Sequence, residues 1–225
     1  SISYTERRTF SHEEKPELAG NLPGSDLLCT QEKYLIRLRT AVITAEVSRE
    51  TGSIIFYKTN LTDPDAPGEL LFAESEERPH EMEKFSSYRL TDEVREGGTV
   101  TTADGTKDVP DQGARRQVGV LYHVRENFIL RNDEAVYGMG QMEEPVLNLR
   151  GRTVYAHQAN RKIAVPLLIS SLGYGVLFYT LSPVVFRDSE QGSSLYGHAA
   201  EELDFYFLAG EDGCFRMEGV VAAYR

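Results

Sequence analysis

The chain has 225 residues, with 24 Lys and Arg against 35 Asp and Glu and a formal charge of -11, so its mean field repels phosphate backbones and argues against nucleic acid as a partner. No stretch approaches the ~20 consecutive apolar residues of a membrane span, and Ser1 to Glu6 lacks the basic-then-apolar pattern of a signal peptide; the expectation is a soluble chain with no membrane partner. Cys29 and Cys214 are the only cysteines, too few for a disulfide framework and too far apart in sequence for a metal motif.

Residues 1–28 read as an extended lead-in, because Ser11 to Ser25 is rich in Glu, Pro and Gly and has no sustained periodicity. Residues 29–225 read as one β-sandwich domain. Tyr34 to Thr40 and Ala41 to Ser48 alternate apolar with polar side chains, the period of a half-buried strand. A turn at Glu50-Thr51-Gly52-Ser53 leads into Ile54 to Tyr57, which predicts a hairpin or meander. Asn60 to Gly68 is a loop of prolines and aspartates. Glu74 to Lys84 is charged enough to be a solvated edge or a short helix, and Gly97 to Gln117 reads as an irregular excursion. Gly119 to Leu130 predicts a long strand with Tyr122, Val124 and Phe128 on one face. Ala164 to Ser171, a glycine turn at Leu172 to Gly175, and Val176 to Tyr179 predict a second hairpin. Val184 to Arg187 and Leu203 to Gly210 continue the series, and Phe215 to Tyr224 is the one segment that suggests a helix. Short strands at roughly ten-residue intervals predict an all-β fold, an antiparallel β-sandwich.

The residues that carry chemistry are sparse. Histidines stand at 12, 80, 123, 157 and 198, and no two share the spacing that puts two ligands on one helix face, so neither a metal nor a cofactor is expected. Tyr137-Gly138-Met139-Gly140-Gln141 contains Gly-x-Gly, but Glu143 takes the place of the third glycine and no βαβ unit surrounds it. Its glycines read instead as a tight turn between a strand and a loop. There is no Gly-x-Ser-x-Gly elbow, and among many acids the sequence singles out no carboxylate pair for glycoside hydrolysis. No residue is assigned a catalytic role. The chain has no Trp and twelve Tyr, so a stacking platform for sugars would rest on tyrosine.

Asp133 to Gln141, followed by Leu147-Asn148-Leu149-Arg150-Gly151-Arg152, Gln158-Ala159-Asn160, Val165 to Val176 and Glu202 to Gly210, closely resembles in residues and order the N-terminal domain of glycoside hydrolase family 31, the α-glucosidases and α-xylosidases. Tyr-Gly-x-Gly-Gln together with Leu-Asn-Leu-Arg-Gly is more similar to the bacterial α-xylosidase branch. The resemblance implies a sandwich related to the galactose-mutarotase fold, set before a (β/α)8 barrel whose two aspartates act by a retaining mechanism. It also implies a bacterial cytoplasmic or periplasmic protein. That family's nucleophile motif carries a Trp two residues before the Asp, so a chain without Trp cannot contain it, and the chain is expected to stop short of the barrel. The implied partners are the C-terminal catalytic barrel of the same polypeptide and an α-linked oligosaccharide. In the family a loop of this domain leans over the barrel mouth, and the matching stretch is His157 to Lys162. Gln158, Asn160, Arg161 and Lys162 are therefore the expected substrate-binding residues, although the intestinal branch has Asp where this chain has Lys162. Two alternatives stand beside this reading: an independent carbohydrate-binding module, and a mutarotase-like epimerase using His157 with Glu143 or Glu144.

Overall fold

The computed structural model describes residues 2–6, 26–63, 66–90, 95–111, 115–143, 145–210 and 215–225. The Ser11 to Ser25 lead-in, Glu144 and Cys214 lie outside the described residues. In chain order the first strands are β1 (Ile2–Tyr4), β2 (Leu28–Gln31), β3 (Leu35–Arg39), β4 (Ile43–Ser48), β5 (Ile54–Lys58) and β6 (Leu70–Glu74). There follow β7 (His80–Leu90), β8 (Arg95–Thr102), β9 (Gly105–Asp111), β10 (Arg115–Ile129) and β11 (Val136–Gln141). The last are β12 (Thr153–Ala156), β13 (Ile163–Ser170), β14 (Tyr174–Phe178), β15 (Val184–Ser189), β16 (Gly192–Ala200) and β17 (Leu203–Ala209), before helix α1 (Met217–Tyr224). Among the described residues no helix is long and apolar enough to cross a membrane.

The strands form an antiparallel sandwich. The smaller sheet runs β1-β17-β14-β13-β11, and the larger runs β12-β15-β16-β10-β6-β5-β4-β3-β2, with β7 also paired to β10. The inward faces of both sheets supply one apolar core: Phe56 of the larger sheet stacks on Phe207 of the smaller at 4.0 Å, and Phe72 meets Tyr174 edge-on at 5.9 Å. Alternation decides which side chains enter it. Tyr122, Val124 and Phe128 of β10 are buried as the pattern predicts. Helix α1 closes the outer face of the smaller sheet through Val220, whose side chain rests where a Cβ on Gly175 would lie.

One expectation is corrected, and one of two alternatives is decided. Residues 97–117 are not an irregular excursion: β8 and β9 form a two-stranded hairpin turning at Ala103-Asp104, and β10 begins at Arg115. The hairpin is a sheet of its own, and β7 and β10 form a ribbon that pairs from Glu126↔His80 to Arg115↔Leu90. The charged stretch from Glu74 to Lys84 holds no helix; it ends β6 and starts β7, whose outward Glu81 and Glu83 make it the solvated edge.

Candidate functional site

The Gly-x-Gly pair sits inside a strand, and its physical role differs from a turn. Gly138 pairs with Leu168 and Gly140 with Ala164, so three residues of β13, Val165 to Leu167, oppose the single residue Met139. Pro166 has no N–H to give a ladder and is accommodated in this bulge. The backbones approach so closely that a Cβ on Gly138 would lie 2.1 Å from the Leu167 carbonyl, and one on Gly140 would lie 2.0 Å from that of Ile163. Met139 itself is fully buried with φ +65°. The bulge falls near the start of β13, which directly follows the candidate loop.

Leu-Asn-Leu-Arg-Gly is the second anchor. Asn148 Oδ1 accepts from the N–H groups of Val136 and Arg150. Arg150 donates to the carbonyls of Arg131 at 2.5 Å and Glu134 at 2.7 Å, and its Nε reaches Asp188 at 2.9 Å. Asp188 also accepts from the Gly151 N–H at 2.6 Å and the Ser193 hydroxyl at 2.5 Å. Burial would raise the Asp188 carboxyl, but Ser193, Gly151 and Arg150 together hold it below the ordinary value. Glu134, 4% exposed, accepts from Ser170, Tyr174 and the Arg131 N–H. Burial, then the Glu134 charge, push the Tyr174 phenol up, so it stays a donor. Asn148 and Arg150, with Glu134 and Asp188, are thus committed to the fold.

Between these anchors, β12 of the larger sheet leads into β13 of the smaller through His157 to Lys162. Ala159 and Lys162 form an isolated bridge, with the Lys162 N–H donating to the Ala159 carbonyl at 3.1 Å. Asn160 and Arg161 form the tip, Arg161 at φ +67°. Gln158 Oε1 accepts from the Ala164 N–H at 3.1 Å and pins the base of the loop. His157, Gln158, Asn160 and Arg161 are exposed and Lys162 is half-buried.

A cleft of about 790 Å³ opens beside this loop. Lys162 and His157 line it, with Gln141, Arg152, Thr153 and Tyr155 as the other polar contributors. Gln158, Asn160 and Arg161 stand outside its lining. Its exposed apolar residues are Leu147 at 82%, Tyr155 at 63% and Val146 at 37%. Thr153 and Tyr155 were legible only as alternate positions of a strand whose other face holds Val154 and Ala156, and four residues are too short for that pattern to stand out. Of the epimerase candidates, His157 reaches the cleft, Glu143 is not among its lining residues, and Glu144 lies outside the described residues. Among the described residues no group of three or more His, Cys, Asp or Glu is arranged to hold a metal ion.

No family model matches the chain. Over 108 residues, 48% of its length, it is 31% identical to an uncharacterized family 31 glucosidase of Pseudescherichia vulneris, and the match covers 19% of that protein. It is 25% identical over 158 residues to an alpha-xylosidase of Saccharolobus solfataricus, covering 63% of this chain and 21% of that one. A family 31 alpha-xylosidase from a soil metagenome, solved in complex with xylose, shares the fold with a TM-score of 0.56 at 24% identity, covering 87% of this chain and 27% of that one. The chain spans about a fifth of the length of the curated relatives it matches. By sequence and by fold, it is a relative of the glycoside hydrolases of family 31, whose N-terminal β-sandwich domain it resembles.

Proposed function

We propose that residues 29–225 form a non-catalytic β-sandwich domain of a retaining α-glycosidase, an α-xylosidase before an α-glucosidase, with the lead-in of residues 1–28 tied to it through β1. The domain packs on a catalytic barrel and holds the His157 to Lys162 loop at the active-site entrance. The observation that carries this reading is the exposed apolar lining of Val146, Leu147 and Tyr155 in the cleft that His157 and Lys162 of that loop share. An apolar patch of this kind, edged by polar groups, is the signature of a surface that meets another. The exposed tip then offers the Asn160 amide and the Arg161 guanidinium as donors to sugar hydroxyls.

The chain alone should release no aryl alcohol from aryl α-xylosides or α-glucosides. In a polypeptide that joins it to its barrel, Asn160→Ala and Arg161→Ala should each raise KM about tenfold, the worth of one substrate hydrogen bond, without moving the melting temperature. Activity of the isolated chain that survives purification, or an unchanged KM in both variants, would reject the reading.

A further inference from the structure

The outward face of the larger sheet carries a second cleft, of about 550 Å³, that shares no lining residue with the first. Strand register assembles it: Arg187 pairs with Ser194 and Ser194 with Asn127, while in the next row Tyr196 pairs with Arg125 and Arg125 with Glu81. Arg78, from the turn before β7, completes the lining. Alternation points Arg125 and Asn127 away from the core that Val124, Glu126 and Phe128 enter.

Among the described residues none of Arg78, Arg125 and Arg187 forms an ion pair, although acids outnumber bases by 35 to 24 in the chain. Glu81 stands directly across from Arg125, yet its carboxylate accepts from the Asn127 amide at 3.2 Å, and the same amide donates to the Arg78 carbonyl at 2.9 Å. Arg125 lies instead over the Tyr196 ring, its Cζ 5.1 Å from the centroid, a contact that orders the guanidinium and leaves its donors available. Three guanidiniums against the two carboxylates of Glu77 and Glu81 leave the opening net positive, which favours a monoanion between the arginines.

We infer that this cleft binds a saccharide bearing a carboxylate, with Arg125 and Arg187 as its anchors. The planar guanidinium fork matches a carboxylate. Glu77 and Glu81 in the lining oppose a dianion such as phosphate, but accept hydrogen bonds from sugar hydroxyls, as Ser189 and Gln191 also can. The volume suits a small oligosaccharide. This site does not depend on what the His157 to Lys162 loop does.

Calorimetric titration of the 225-residue chain at low ionic strength with a glucuronic-acid disaccharide tests the assignment, against its carboxyl-reduced neutral counterpart and inorganic phosphate. The uronate should bind about tenfold or more tighter than the neutral sugar and phosphate, and weaken as salt is added. Arg187→Gln and Arg125→Gln should each reduce its affinity about tenfold, and Arg187→Lys, which keeps the charge without the fork, should fall between. Melting curves of all three establish that the sandwich is intact; Arg187 is exposed, so its variants provide the comparison if Arg125→Gln unfolds. No binding of the uronate, equal binding of the neutral sugar, phosphate binding as tight as the uronate, or affinity unchanged in folded Arg187→Gln would each overturn the assignment.

Discussion

Arg150→Met should lower the melting temperature by roughly 6–12 °C at neutral pH, the shift expected of about 3 kcal/mol in a domain of this size. Methionine fills the space but leaves the carbonyls of Arg131 and Glu134 without their shared donor and Asp188 without its cation. Asp188 is only 8% exposed, so its charge has little access to water once the guanidinium is gone. The pH dependence identifies the cause. Asp188 has a depressed folded-state pKa, so its contribution is present above the unfolded aspartate value and is lost as pH falls through the folded one. The gap between Arg150→Met and the parent should therefore be widest near neutrality and narrow in acid. Calorimetry from pH 3 to pH 8 measures it, and a shift under about 2 °C at pH 7 would mean that the network does not support the fold.

Arg150 also shows where a sequence reading stops. Leu-Asn-Leu-Arg-Gly is conspicuous enough to carry a family resemblance, but nothing in its composition says that its amide and guanidinium hold carbonyls and a buried carboxylate rather than a ligand. The same holds for the two glycines of β11: their presence was legible, while the bulge that needs them depends on how Pro166 is seated in the opposite strand. Strands with one wet and one dry face, such as β4, β5 and β10, were readable because the period of two survives in the residues. Strand β16 was not, since Ser193, Ser194 and Leu195 are all buried in the middle of a sheet and erase the alternation. The β8–β9 hairpin has no core face to impose a pattern, and its turn at Ala103-Asp104 is not one of the Asn-Gly or Asp-Gly pairs that mark a two-residue hairpin loop.

The candidate sites divide along the same line. The His157 to Lys162 loop is found through contiguous residues that resemble a family motif. The arginine cleft draws on positions 78, 125 and 187, which become neighbours only through the register of β7, β10, β16 and β15. No local pattern announces such a cluster, because each arginine alone looks like an ordinary outward strand or turn residue.

The inward face of the larger sheet holds one further exception to its own pattern, and Glu126→Gln should turn it into a gain of stability. Glu126 occupies a core position of β10 between Val124 and Phe128, 0% exposed, and Glu74 of β6, 1% exposed, lies beside it. Glu74 accepts from the Ile54 N–H at 2.8 Å and from the Tyr4 hydroxyl at 3.3 Å, while Tyr4 stacks on His80 at 3.7 Å. Neither oxygen of Glu126 completes a well-formed hydrogen bond. Burial, with the second carboxyl adding to it, pushes Glu126 well above the usual carboxylate range, and burial raises Glu74 to about 7. A glutamate whose folded pKa is raised stabilises the fold fully below the unfolded value near 4.5 and ceases to do so as pH rises through the folded value. Glutamine has no proton to lose. The variant should therefore match the parent within about 1 kcal/mol at pH 4, then gain on it as pH rises above 4.5, by about 1.4 kcal/mol per pH unit until the raised folded value is reached, where the gain levels off. Because the other carboxylates titrate alike in both proteins, the difference between the two melting curves isolates the pair. A difference that stays flat from pH 4 to pH 8 would show that Glu126 is not held protonated, and that β1, which Tyr4 ties to Glu74, is not secured over a neutral acid pair.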